Sequence, residues 1–288
     1  MKHHLQLHAL VFILAATALL GELISLPAAS LVLWRTLLAV VGGGIWVAVV
    51  QRKVLWLGAR RTTELIGVGG LIGCHWILFF HAIKVSNISI CLAGLATIPL
   101  FTAFTEPVFE RRRLRPFEIL AGALVLCGIL IVVGSVRREN LSGLGFALAS
   151  AFLAAIFPLL NRKIVISGGS PLTMVTWEMA GACFAALALL PLTGEGREVF
   201  SWRGFDWFWL LVLALVCTVF AHGFHIYLLK HLSAFTINLA ISFEPLYGIL
   251  AAAFLFGEYR HLTPTFYAGL ATIFAANVIH PICVRLTR

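Results

Sequence analysis

The chain has 288 residues, of which 61% are hydrophobic and only 11% charged, with 21 Lys and Arg against 12 Asp and Glu, a formal net charge of +9 and a mean hydropathy of +1.00. No soluble globular domain carries that much apolar surface, so the composition excludes one and points to an all-α polytopic membrane protein. The charges gather in short clusters between long apolar runs, as expected when each crossing of the hydrocarbon core takes about 20 apolar residues.

Ten such runs fit the length, at 7–26, 29–50, 63–83, 86–108, 117–135, 142–160, 171–192, 205–229, 232–256 and 263–284. The first follows Lys2 directly, has no small-residue cleavage pattern before Pro27 and is followed at once by a second run. It therefore reads as a retained helix rather than a signal peptide. Only Lys84-Val85-Ser86-Asn87 parts the third and fourth runs, and only Lys230-His231 parts the eighth and ninth. A very short turn between antiparallel helices fits better there than one helix of double length, which would overshoot the bilayer. The six cysteines lie singly within apolar runs without metal-like spacing. They read as small buried hydrophobes, with no disulfide framework and no metal site.

With the amino terminus in the cytoplasm, alternate loops place fourteen Lys and Arg inside, including Arg60, Arg61, Arg111, Arg112, Arg113, Arg115, Arg162 and Lys163, and six outside, with Arg35 left within a helix. The bias predicts both termini in the cytoplasm of a plasma membrane, here a bacterial inner membrane. It also accounts for the Arg111-Arg112-Arg113 run through the anionic inner leaflet, without a nucleic-acid partner.

The chain also repeats itself. Ile98-Pro99-Leu100-Phe101 returns 146 residues later as Glu244-Pro245-Leu246-Tyr247, Lys84 returns as Lys230 at the same offset, and Trp34-Arg35 matches Trp177-Glu178 at an offset of 143. The matches keep a common order and divide the chain into two five-helix halves, 1–138 and 141–288. Two copies of odd helix number insert in opposite senses, so this is an inverted-topology repeat. Phe243-Glu244-Pro245-Leu246-Tyr247 through Leu255-Phe256-Gly257-Glu258 and then Leu262-Thr263-Pro264, with the sparser first copy from Ile98-Pro99-Leu100 to Glu110 and Pro116, resembles the EamA family of the drug/metabolite transporter superfamily. The first copy departs from that family's pattern, with Ile98 in place of the Glu and no Gly before Glu110. The resemblance covers essentially the whole chain and implies a ten-helix permease, without indicating its cargo.

Polar groups at membrane depth are costly and normally face a cavity or a partner. Glu244 sits near the middle of the ninth run, about 18 Å from either end at 1.5 Å per residue, directly before a proline. It is either a proton or cation site or a structural carboxyl that fixes a kink. Pro99 and Pro245 fall at equivalent depths and are expected to kink the helices that wall a cavity. His75 is expected near the centre, within reach of Glu244 for a proton relay, and His222 and His225 lie one turn apart, each either functional or a packing residue. Trp34, Trp177, Asn238 and Asn277 complete the candidate cavity. Glu22 with Arg35, and Glu178 with Arg162 or Lys163, are the expected ion pairs, acting as gates or as static glue between helices.

No phosphate-cradling loop occurs, so no nucleotide or other cofactor is expected. Moving one charge through 100 mV supplies about 2.3 kcal/mol, enough for proton-coupled transport. The sequence thus reads as a secondary transporter, not an enzyme. It would move a small metabolite, such as an amino acid or an amphipathic organic cation, by alternating access, as a monomer or homodimer surrounded by lipid. The rival reading, an intramembrane or lipid-modifying enzyme with a buried His/Glu site, would need clustered acid, base and nucleophile.

Overall fold

A computed structural model describes the backbone of residues 2–111, 113, 116–232, 237, 240–241 and 243–286; the side chains of residues 2, 4, 110, 116–118, 277–278 and 280–286 lie outside the described set. Among the described residues the fold is helical, without a strand. The helices are α1 (Lys2–Leu23), α2 (Ala28–Ile45), α3 (Ala59–Val85), α4 (Ile88–Leu95), α5 (Ile98–Glu110), α6 (Pro116–Ser135), α7 (Leu141–Ile166), α8 (Pro171–Thr193), α9 (Asp206–Ala214), α10 (Ala221–Leu228), α11 (Glu244–Phe256) and α12 (Pro264–Leu286). Seven helical stretches are long and apolar enough to cross a membrane, and three shorter apolar helices lie at Ile119–Ser135, Glu244–Phe256 and Pro264–Ala276.

Local chemistry sets the boundaries. Pro27, with φ fixed at −64°, turns the chain from α1 into α2. α3 gives way to α4 at Ser86-Asn87, where the Asn87 side chain accepts the Ile90 N–H at 2.9 Å and caps α4. The short turn expected at residues 84–87 is therefore a genuine helix reversal. Pro99 and Pro245 differ from expectation: each is the second residue of its helix, α5 or α11, rather than a kink within a continuous one. A proline there removes an N–H that has no helical acceptor anyway. In the first half the break is complete, because α4 ends at Leu95 and the Thr97 hydroxyl donates to the Gly94 carbonyl at 2.6 Å.

Between α9 and α10 the backbone widens into a π-helical turn, Leu215–Phe220, and α2 ends in another, Trp46–Val50. Such turns free a carbonyl from the regular ladder and are frequent at functional sites.

α2 packs on α8, α3 on α7 and α8, α4 and α5 on α7, α1 on α10 and α11, α4 on α11, and α6 on α12. Small residues permit the closest crossings. A Cβ on Gly69 of α3 would fall on the Glu178 carbonyl, and one on Gly181 of α8 would fall on that of Ile66. Close backbone approach is how membrane helices gain contact when lipid is as apolar as their side chains. Large apolar side chains such as Leu120, Leu130, Phe184 and Phe254 point outward, where hydrocarbon would cover them.

One end of the bundle is clasped by acidic side chains. Asp206 accepts the backbone N–H and the hydroxyl of Ser25, at 3.0 and 2.5 Å. Glu195 accepts the Ala29 and Ser30 N–H groups at the start of α2, at 2.7 and 3.1 Å. Glu258 does the same at the start of α4, taking Ile88 N–H, Ser89 N–H and the Ser89 hydroxyl at 3.0, 2.9 and 2.5 Å. Helix amino termini leave unpaired N–H groups and a partial positive charge, which these carboxylates satisfy. Glu195 and Glu258 occupy the same local motif. Gly194-Glu195-Gly196-Arg197 and Gly257-Glu258-Tyr259-Arg260 each open with a left-handed glycine, φ 74° and 68°, that ends the preceding helix.

Candidate functional site

The helices enclose a cavity of ≈ 90 Å³ at the centre of the bundle. α1 contributes Leu14 and Thr17; α2, Arg35; α3, His75, Trp76 and Phe79; the α4–α5 break, Leu95 and Ile98; and α7, Ala154, Phe157 and Pro158. Cys217, His222 and His225 come from the stretch around the π turn, Glu244 is the first residue of α11, and Ile241 lies three residues ahead of it. The walls are mostly aliphatic and aromatic, with one guanidinium, one carboxyl and three imidazoles among them, a small set of polar groups on an apolar surface that is typical of a ligand pocket.

Of the residues singled out in the sequence, His75, His222, His225 and Glu244 line this cavity together. His75 and Glu244 share it without a hydrogen bond between them. His75 Nδ1 instead lies 2.9 Å from the Ser150 carbonyl and 2.7 Å from its hydroxyl, which donates to the His75 carbonyl at 3.0 Å. The Phe157 ring stands beside both His75 and His222, at centroid distances of 5.7 and 6.0 Å. His222 and His225 pack with centroids 5.8 Å apart, and His225 Nε2 is buried without a hydrogen-bond partner. Among the described residues, no three His, Cys, Asp or Glu side chains gather as a metal site would require.

Both expected ion pairs are replaced. Arg35 is 1% exposed and bonds no carboxylate; its Nε donates to Thr218 Oγ1 at 2.7 Å and its Nη2 to the Cys217 carbonyl at 3.4 Å. Glu22, its expected partner, is exposed, and the Glu22 main-chain carbonyl accepts from Lys84 Nζ at 3.5 Å. The π turn decides this, because it brings a carbonyl and a hydroxyl to the guanidinium in the interior while Glu22 stays at the rim. Glu178, 0% exposed, bonds His222 Nε2 at 2.8 Å rather than Arg162 or Lys163. Lys163 lies with Arg60, Arg61 and Glu64 along a groove at the opposite end from the acidic clasps. An interior helix contact outcompetes a rim cation because Glu178 faces α10 from about 10 Å inside α8, seven residues from its start.

Trp34 and Trp177 do not line the cavity. The Trp34 indole donates to the Val199 carbonyl in the loop after α8, and the Trp177 indole to the Leu55 carbonyl in the loop after α2, both at 2.8 Å. Pro99 and Pro245 are buried one residue beyond the lining positions Ile98 and Glu244. Asn238 and the side chain of Asn277 lie outside the described residues.

Sequence reasoning missed Arg35 as a cavity residue, and with it Trp76, whose ring centroid lies 3.6 Å from the guanidinium carbon. A single Arg in the interior of an apolar run was the available signal. It also missed the two Gly-Glu-x-Arg motifs as clasps, although their recurrence is visible in the sequence.

Residues 141–279 match the model of the EamA-like transporter family. The chain is similar to an uncharacterized transporter of Pseudomonas aeruginosa, 22% identical, covering 88% of this chain and 84% of that one. It is also similar to a probable amino-acid metabolite efflux pump of Salmonella typhimurium, 28% identical, over 78% and 79% of the two chains. A crystal structure of a protein that is 16% identical superposes over 99% of this chain and 98% of its own with a TM-score of 0.66, a likeness of fold. With the acidic clasp after α11 and the Glu-Pro start of that helix inside the matched segment, this multi-pass membrane protein carries an EamA-like transporter domain over most of its second half and is similar to membrane transporters along most of its length.

Proposed function

We propose that the protein is a ten-span permease of the bacterial inner membrane, with inverted five-helix halves at 1–138 and 141–288 and both termini cytoplasmic. It exports a small metabolite, such as an amino acid or an amphipathic organic cation, by alternating access with protons as the coupling ion. The observation that carries this reading is the central cavity, to which both halves contribute polar side chains: Arg35 and His75 from the first, His222, His225 and Glu244 from the second. At about 10–15 Å³ for each water position, its ≈ 90 Å³ has room for about six to nine waters, which a small metabolite would displace.

Inversion of the halves is supported by reciprocal contacts. Trp34 and Trp177, each the seventh residue of its helix, clamp the loop that follows the other's helix. α6 and α12 meet through Gly128 and Gly269, where a Cβ on either would come within 2.9 Å of the other's carbonyl oxygen. The three shorter apolar helices complete ten spans alongside the seven longer ones. Asp206, Glu195 and Glu258 then form the closed outer gate, holding α2 and α4 against the second half. Opening it exchanges charge-assisted bonds for water, a modest change because each carboxylate becomes hydrated again. Glu244 serves as the proton carrier, since a buried carboxyl beside a cavity binds and releases a proton as access alternates. The name of the Salmonella relative supports an amino-acid metabolite as cargo.

Purified protein in proteoliposomes, given an inward or outward pH gradient and a labelled amino acid, tests the proposal. Gradient-driven accumulation is expected, with Glu244→Gln losing accumulation while keeping counterflow exchange. Equal accumulation by Glu244→Gln removes its coupling role. Labelling of single cysteines at positions 2 and 140 from the same side removes the inverted arrangement.

A further inference from the structure

We propose that Arg35 is the anchor for the cargo's carboxylate, so that the permease selects zwitterionic amino acids over organic cations; the inference rests on the transport reading above. A guanidinium carries five N–H donors and stays charged. Here the groups that contact it among the described residues are neutral: the Thr218 hydroxyl, the Cys217 carbonyl and the rings of Trp76 and, farther off, Phe80. Nη1 is buried with no hydrogen-bond partner, and no carboxylate lies within ion-pair distance of Arg35 among the described residues. A permanent cation at membrane depth with no directly bonded counter-ion, facing Glu244 only across the cavity, is expensive, and such groups normally mark a ligand or ion path.

The guanidinium is also fixed in place. Trp76 stacks on one face at 3.6 Å, and Thr218, which receives the Nε hydrogen, donates its own to the Leu213 carbonyl at 2.7 Å. The π turn is what offers Cys217 and Thr218 together. A donor held this way loses little conformational freedom on binding, and its planar fork suits a carboxylate. Glu244 lines the same cavity and supplies the opposite charge for an ammonium. An α-amino acid carries both groups on one carbon. A simple amine brings only a second cation toward Arg35 and leaves its unpaired donor unmet.

Uptake into proteoliposomes of labelled leucine and phenylalanine, measured beside their decarboxylated amines isopentylamine and phenethylamine, decides the matter in the parent protein without any variant. The amino acids are expected to be carried more than about a hundredfold better, because a site whose buried polar group is left unmet by the analogue discriminates by up to about 10⁴–10⁵. Arg35→Gln is expected to lose that preference, and Arg35→Lys to keep part of it with a raised KM, each checked for folding by size exclusion. Amines carried as fast as amino acids, or Arg35→Gln retaining the parent KM for leucine, overturn the anchor while the permease reading stands. Absence of flux for all four compounds with folded protein overturns the transport reading for these cargoes and the anchor with it.

Discussion

Arg35 and Glu178 occupy matching places, each directly after a tryptophan and each the eighth residue of its helix, yet they are held in different ways. Arg35 lines the cavity and is surrounded by neutral acceptors and an aromatic face. Glu178 lies behind the lining, where it grips His222, and its second oxygen is buried without a partner. The tryptophans ahead of them do the same job at opposite ends. The two tryptophans thus do reciprocal work, while the residues that follow them differ in sign and purpose: Arg35 presents a charge to the cavity, and Glu178 orients the His222 imidazole that lines it.

Reversing either charge should break this contrast most severely. Arg35→Glu sets a carboxylate against the Cys217 carbonyl, and Glu178→Arg sets a long cation where α3 and α8 touch backbone to backbone. Each is expected to destabilise by about 3–5 kcal/mol, the range for an uncompensated buried charge. The double exchange should be no better than the sum, because the two residues are not partners. Yield of monodisperse protein in detergent reads this out, and rescue by the double variant would mean that they interact.

His222→Ala comes next. It strips Glu178 of its bond and should lower stability by about 3 kcal/mol, whereas Glu178→Gln, which keeps a hydrogen bond to His222, should change it by only about 1 kcal/mol. Thermal unfolding of the two variants side by side tests whether Glu178 serves His222 or is merely buried near it. Trp76→Leu removes the ring beneath Arg35 and is expected to cost about 1–2 kcal/mol, the range of a desolvated cation–π contact. A loss no greater than that of Phe79→Leu would show the stacking to be incidental. Smallest of all, Trp34→Phe and Trp177→Phe each remove one indole hydrogen bond and should each lower stability by about 1 kcal/mol. Unequal losses would deny that the two clamps are equivalent.

Much of this architecture is legible in the residues. Long apolar runs place nearly every helix within a few positions, because a crossing needs a fixed apolar length whatever its neighbours are. Ser86-Asn87 reads as a reversal because asparagine favours a cap. The four titratable cavity residues His75, His222, His225 and Glu244 were visible as polar groups stranded in hydrocarbon. The prolines were visible too, but the sequence does not distinguish a kink from a helix start, since both use the same missing N–H.

Partnership was less legible. Glu22 and Arg35 flank one short turn, and Glu178 lies across the next interhelical turn from Arg162 and Lys163, so chain proximity argued for those pairs. Proximity along the chain fixes which end of a helix a residue occupies, but not which face it turns to its neighbours. Composition and hydropathy by themselves determined that this is a multi-helix membrane protein, because lipid imposes its thickness on every span, while the Glu-Pro and Gly-Glu motifs carried the resemblance to a transporter family. Only the tertiary structure decided that Arg35 turns inward to Thr218, Cys217 and Trp76 and that Glu178 grips His222. Those choices depend on the rotation of each helix about its axis and on a local widening at Leu215–Phe220, which packing between distant segments sets.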